Sequence, residues 1–216
     1  MSAGIGAGSA RRAGGWTLVE LIVVLTIAGM LLLMALPTLS STLANGRIRA
    51  AAEALQDGLG IAQAEALRRS ANVELIVTDG DPLPAHVTAA ASASGRNWLV
   101  RIPADATRGL AATTFVRGST AFARNSPSLE NRGGAVGVAY SPTGRLMTPQ
   151  AGAYVPATAA AVFRITANGA DRPLCVYSTI SGSVKTCDPA LSGTDFRACQ
   201  PAITTSACPA APSNGG

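Results

Sequence analysis

Residues 14–37 read Gly14-Gly15-Trp16-Thr17-Leu18-Val19-Glu20-Leu21-Ile22-Val23-Val24-Leu25-Thr26-Ile27-Ala28-Gly29-Met30-Leu31-Leu32-Leu33-Met34-Ala35-Leu36-Pro37. From Trp16 to Leu36 the only ionisable side chain is Glu20. Such a run is expected to form one helix long enough for a bilayer core, which takes ~20 apolar residues. A carboxylate inside it costs roughly 2.5–3.5 kcal/mol on insertion scales and is usually matched by a partner. The run contains no cation. The partner must therefore come from another chain or from a chain end. A cut after Gly15 would create one, because Trp16 would then carry a free α-amine one helical turn ahead of Glu20.

The basic pair Arg11 and Arg12, the Gly15-Trp16 junction, Thr17-Leu18-Val19-Glu20 and the apolar run together resemble the class III signal peptide of type IV pilins. An ordinary secretory signal has an apolar core of 7–15 residues with the cut behind it. Here the run is longer and the cut precedes it. The resemblance implies cleavage between Gly15 and Trp16 by a prepilin peptidase and N-methylation of Trp16. It also implies assembly through Glu20, whose carboxylate meets the amine of a neighbouring subunit. Glu20 and Pro37 stand where the family commonly carries Glu and Pro. The residue after the cut is usually Phe; Trp16 is also aromatic. With Arg11 and Arg12 unbalanced by acid, the N-terminus is expected to stay cytoplasmic. The expected location is the bacterial inner membrane, single-pass with a periplasmic C-terminal domain, and then the fibre.

The chain has 216 residues and a formal net charge of +5. Without the leader arginines that falls to about +3, too weak a bias to imply a nucleic-acid partner by itself. Beyond Pro37 the pattern turns amphipathic. Ile48, Ala52, Leu55, Leu59, Ala62 and Ala66 recur at helical spacing, with Arg47, Arg49, Glu53, Gln56, Asp57 and Glu65 mostly between them. One bent helix is expected from residue 16 to about 69, ~80 Å long at 1.5 Å per residue. Pro37 removes a backbone donor where the bend is expected.

After Ser70, short strand-like runs alternate with Gly, Pro, Asp and Asn. Expected strands are 73–78, 98–102, 113–117, 136–141, 162–166, 174–179 and 183–186, with 79–97 and 118–135 as loops. No long crossover helix separates them, so the sheet is expected to be antiparallel. The organisation is then a leader at 1–15, an apolar helix at 16–43 and its amphipathic half at 44–70. A β-domain at 71–188 and a Cys-containing tail at 189–216 complete it. The fold class is α+β.

Cys175, Cys187, Cys199 and Cys208 all lie near the C-terminus. In an exported domain they are disulfide candidates. A tight turn around Ser181 and Gly182 would place Cys175 opposite Cys187, so a cross-strand bond is open to them. Either could instead reach into the tail, and Cys199 with Cys208 could close a loop there. Four cysteines allow three connectivities. A metal site is disfavoured: there is no Cys-x-x-Cys, and the one histidine, His86, is distant in sequence.

The stretch Ala52–Arg69 followed by Val73-Glu74-Leu75-Ile76-Val77 resembles the GspH/FimT family of minor pilins and pseudopilins. So do Val138-Ala139-Tyr140-Ser141-Pro142-Thr143-Gly144-Arg145 and the closing hairpin with Cys187. The resemblance implies a long helix packed on an antiparallel β-domain, with no catalysis and no cofactor. It implies a structural subunit at or near the tip of a type IV pilus or a type II secretion pseudopilus. Its partners would be other major and minor pilins or pseudopilins and an inner-membrane assembly platform.

Some FimT-like pilins bind DNA through Gly-Arg-x-Arg in the closing hairpin. Gly182-Ser183-Val184-Lys185 keeps only Lys185 of those cations, and Arg145 lies in another strand. Lysine also lacks the guanidinium fork. DNA binding is therefore the lesser reading.

Other constellations are weak. A serine triad would have to use His86, which is better read as a solvated loop residue. No nucleophile elbow or Walker loop is present. Trp98 reads as a core residue of a strand. Arg68 and Arg69 read as complements to the helix dipole.

Overall fold

A computed structural model describes residues 17–92, 95–120, 127–130, 136–150, 153–167, 169–191, 195–199 and 208, without the side chains of 33–39 and 127–130. Helix α1 spans Leu18–Arg69. Its start is locally encoded. The Thr17 hydroxyl accepts from the Glu20 amide at 3.2 Å, and the Thr17 carbonyl accepts from the Leu21 amide. Thr-x-x-Glu is the capping-box pattern, and a carboxylate in the first turn suits the helix dipole. The end is equally local. Ser70 has φ 50°, the Ala71 amide bonds to the Ala66 carbonyl, and the Ser70 amide bonds to the Leu67 carbonyl. That pair of bonds is the Schellman closure, with serine where glycine is usual.

The chain divides into two units, Met1–Leu39 and Ser40–Gly216. In the first, every described side chain from Thr17 to Leu32 is exposed, Leu18 at 73% and Met30 at 66%. The expected membrane span and single-pass inner-membrane location are overturned here. Among the described residues no helix is long and apolar enough to cross a membrane. Glu20 puts a carboxylate into the apolar run. The side chain of Pro37 lies outside the described residues.

The second unit is α+β, with two antiparallel sheets where the sequence suggested one. Strands β1 (Val73–Thr78), β2 (Asn97–Ile102), β3 (Thr114–Ser119), β5 (Gly137–Tyr140), β6 (Leu146–Gln150) and β7 (Ala153–Pro156) form a six-stranded sheet. Its order is β3-β2-β1-β5-β6-β7. Strands β4 (Pro127–Glu130), β8 (Ala161–Ala167), β9 (Leu174–Ser178) and β10 (Val184–Cys187) form the other, in the order β10-β9-β8-β4.

Strands β4, β6 and β7 were not expected from the pattern. Each is short, and Pro149 and Pro156 stand in β6 and β7. Proline loses a ladder donor and normally argues against a central strand. Pro149 is tolerated because β6 pairs with β5 only through Leu146 and Met147.

The apolar stripe of α1 meets both sheets. Ile48, Ala52, Leu55, Leu59, Ala62 and Ala66 are each 1% exposed or less. They share one core with Val73, Leu75 and Val77 of β1, Trp98 and Val100 of β2, and Phe163, Ile165 and Val176 of the four-stranded sheet. Alanine in the stripe lets the helix approach closely, while the leucines fill the space between layers.

Candidate functional site

Three regions concern function. At the start of α1, Glu20 is exposed among the exposed side chains of Leu18, Val19, Leu21 and Ile22. Its amide is used by Thr17, and its carboxylate has no ion-pair partner among the described residues. Gly15 and Trp16, the expected cleavage and methylation positions, lie outside the described residues.

The second region is the meeting of two turns beside α1. Gly144 (φ 76°) closes the turn between β5 and β6, and Gly182 (φ 95°) closes the turn between β9 and β10. The Gln63 side-chain amide donates to the Gly144 carbonyl at 3.0 Å. A Cβ on Gly182 would collide with that carbonyl and with the Gln63 amide. The Leu146 amide also donates to the Ile180 carbonyl, so the turns are tied directly. Below them the Tyr140 hydroxyl donates to Ser178 at 2.9 Å, joining the sheets inside the core. Burial pushes the Tyr140 hydroxyl up to about 12, partly offset by Ser178. Arg145 at the end of the first turn and Lys185 on β10 just after the second are both exposed.

The third region is the C-terminal staple. Cys175 and Cys187 face each other in register across β9 and β10. They are not bonded to each other. Cys175 pairs with Cys208, and Cys187 pairs with Cys199, so each strand holds the tail instead. The Cys199–Cys208 loop is likewise not formed. With Val162 and Tyr177 the cysteines make a second small core. The Asp188 amide extends the attachment by donating to the Arg197 carbonyl at 2.8 Å.

One polar cluster escaped the sequence reading. Arg101 pairs with Glu74 at 2.5 Å and donates to the Val87 and Ala89 carbonyls, pinning the loop between β1 and β2. Tyr154 donates to the other Glu74 oxygen. Burial, followed by the Glu74 charge, raises its hydroxyl pKa. Glu74 and Arg101 are register partners, a fact that only strand pairing exposes.

His86 lies in a short 3-10 helix, Pro84–His86, exposed and in contact with the Asp81 carbonyl. Among the described residues no three His, Cys, Asp or Glu side chains are grouped to hold a metal. Trp98 is buried against α1. Arg68 and Arg69 both pair with Glu65 at 2.7 Å, more specific than a response to the helix dipole. These bonds hold the Glu65 carboxyl down at about 2, the Arg68 bond first.

The family model described as "Type II transport protein GspH" matches residues 51–182. The chain belongs to the GspH family. The match runs from the buried half of α1 to the β9–β10 turn, so it takes in every strand but β10 and includes Cys175 but not Cys187, Cys199 or Cys208. GspH-family membership makes the protein a structural subunit of the minor pilin and pseudopilin class, serving type IV pilus or type II secretion systems, and not an enzyme. No curated protein matches the chain.

Two crystal forms of the type IV minor pilin FimU of Pseudomonas aeruginosa are among similar solved structures. Each is 15% identical with a TM-score of 0.47. One alignment covers 65% of this chain and 88% of FimU, the other 68% and 97%.

Proposed function

We propose that this GspH-family subunit enters its fibre through the α1 terminus, after cleavage between Gly15 and Trp16, with Glu20 accepting the Trp16 amine of a neighbouring subunit. The observation that carries the reading is the state of Glu20. It is a carboxylate without a cation among the described residues, set in a run of exposed apolar side chains. Once neighbouring helices cover that run, an unpaired charge would be strongly penalised, and a terminal amine would relieve it. A prepilin peptidase and an assembly platform are the partners this route requires. N-methylation of Trp16 would keep the amine cationic. Placement at or near the fibre tip accords with a minor rather than a major subunit.

The test is incorporation of Glu20→Ala into sheared fibres, with Glu20→Asp alongside. Glu20→Ala should be processed normally but be depleted from fibres by at least ~10-fold, the scale of one unpaired buried charge. Incorporation at the wild-type level would remove this role.

A second reading, nucleic-acid binding, draws on Arg145 and Lys185, exposed beside the two adjoining turns. Two cations give a small phosphate-binding surface with shallow salt dependence. Gel shifts of the wild type against Arg145→Ala with Lys185→Ala would test it. Salt-sensitive binding lost in the variant would favour this reading.

A further inference from the structure

Between α1 and the staple lies a groove of about 400 Å³. One wall is helical, formed by Asn45, Arg49, Glu53 and Gln56. The other is formed by Arg172, Leu174, Thr186, Asp188 and the rim pair Phe196 and Arg197. Both walls are braced. The Asn45 amide donates to Asp171 at 2.5 Å, and the Thr186 hydroxyl donates to Gln56 at 2.8 Å. The Cys187–Cys199 bond fixes the segment that carries Phe196.

The charges inside the groove are unequally used. Arg197 is neutralised by Asp195 at 3.0 Å, and the buried Asp188 carboxylate accepts from the Ala190 amide. Glu53 is exposed on the helical wall. Arg49 and Arg172 are exposed on opposite walls and form no ion pair among the described residues, although the Arg172 charge reaches Asp195 and helps to lower its pKa, after the nearer Arg197. Phe196, 93% exposed, stands at the rim with the Arg197 guanidinium 5.6 Å from its ring centre. An exposed aromatic on a disulfide-held segment beside exposed arginines is the composition of an interface anchor. Thr186 belongs to β10, an edge strand of its described sheet, so this wall also offers an extended partner a strand edge.

We infer that this groove receives an extended acidic segment of a neighbouring subunit, its carboxylates at Arg49 and Arg172 and an apolar side chain against Phe196. The neighbour as donor rests on the fibre reading above. The groove chemistry does not, and is tested without fibres.

Titration calorimetry would use the full chain, with non-ionic detergent covering Leu18–Leu32. The probes are two synthetic peptides, Glu-Val-Glu-Val-Glu-Val and Lys-Val-Lys-Val-Lys-Val. The acidic peptide should bind saturably and the basic one should not. Arg49→Glu combined with Arg172→Glu should weaken binding at least ~10-fold, as expected for close charge pairs at an interface. Phe196→Ala, a change at a fully accessible position, should weaken it at least ~3-fold. Arg47→Glu, an exposed charge outside the groove lining, should leave it unchanged. No binding, equal binding of both peptides, or equal loss on Arg47→Glu would overturn the inference. Loss of fibre incorporation with intact peptide binding would count against the fibre reading alone.

Discussion

The indole ring of Trp98 occupies the space that a side chain on Gly58 would need, with its Cη2 atom 2.7 Å from the position of an added Cβ. Glycine inside a helix costs ~1 kcal/mol relative to alanine. Here it is the condition for seating the largest core residue. Gly58→Ala should therefore lower stability despite improving helix propensity, because overpacking a filled core costs roughly 1–3 kcal/mol. Chemical denaturation of the variant would measure it. A variant more stable than wild type would mean the ring moves aside freely.

Ser70 offers the opposite case. It is the described non-glycine residue with a positive φ, at the position that closes α1. Ser70→Gly removes a steric penalty of about 1 kcal/mol and leaves both closing hydrogen bonds available. The melting temperature should rise.

Tyr140 makes stability sensitive to alkali. Its folded-state hydroxyl sits at about 12, above the ordinary value of 10.0. The neutral hydroxyl is thus favoured in the fold. Its contribution is complete below pH ~10 and is lost as pH rises through ~12. Tyr140→Phe should remove this component of the alkaline transition. At neutral pH it should cost about 1–3 kcal/mol, by leaving the buried Ser178 hydroxyl without its partner.

Glu65 gives an acid signature with the opposite sign. Its folded-state carboxyl lies at about 2, depressed from 4.5 by Arg68 and Arg69. The contribution is present above pH ~4.5 and is lost as pH falls through ~2. Amide exchange at the last turn of α1 should quicken over that window, and Glu65→Gln should abolish the dependence.

The staple has a covalent test. Peptide mapping without reductant should recover Cys187 joined to Cys199 and Cys175 joined to Cys208. Opening the shorter loop with Cys199→Ser should cost about 3 kcal/mol in the loop-entropy picture.

Much of the second unit was legible because period and burial coincide there. The helical spacing of Ile48 through Ala66 marked the core face, and short strand-like runs between Gly, Pro, Asp and Asn marked β1, β2 and β8. What escaped was set by pairing at long range. β4 and β7 are short strands whose identity comes from their neighbours. The Glu74–Arg101 pair depends on register, and the cysteine partners depend on where the tail returns. Trp98 could be read as a core residue, but not as the reason for Gly58. The apolar run near the N-terminus invited a bilayer reading from composition, and the described helix does not sustain it.

The Thr17–Glu20 cap bears on the proposed cut after Gly15. Both halves of this start signal sit downstream of residue 16, so nothing ahead of them is needed to nucleate the first turn. A protease could discard the preceding residues without fraying what remains. The same acidic residue would then serve twice, first by favouring the helix start through its charge and later as the docking point for an incoming chain.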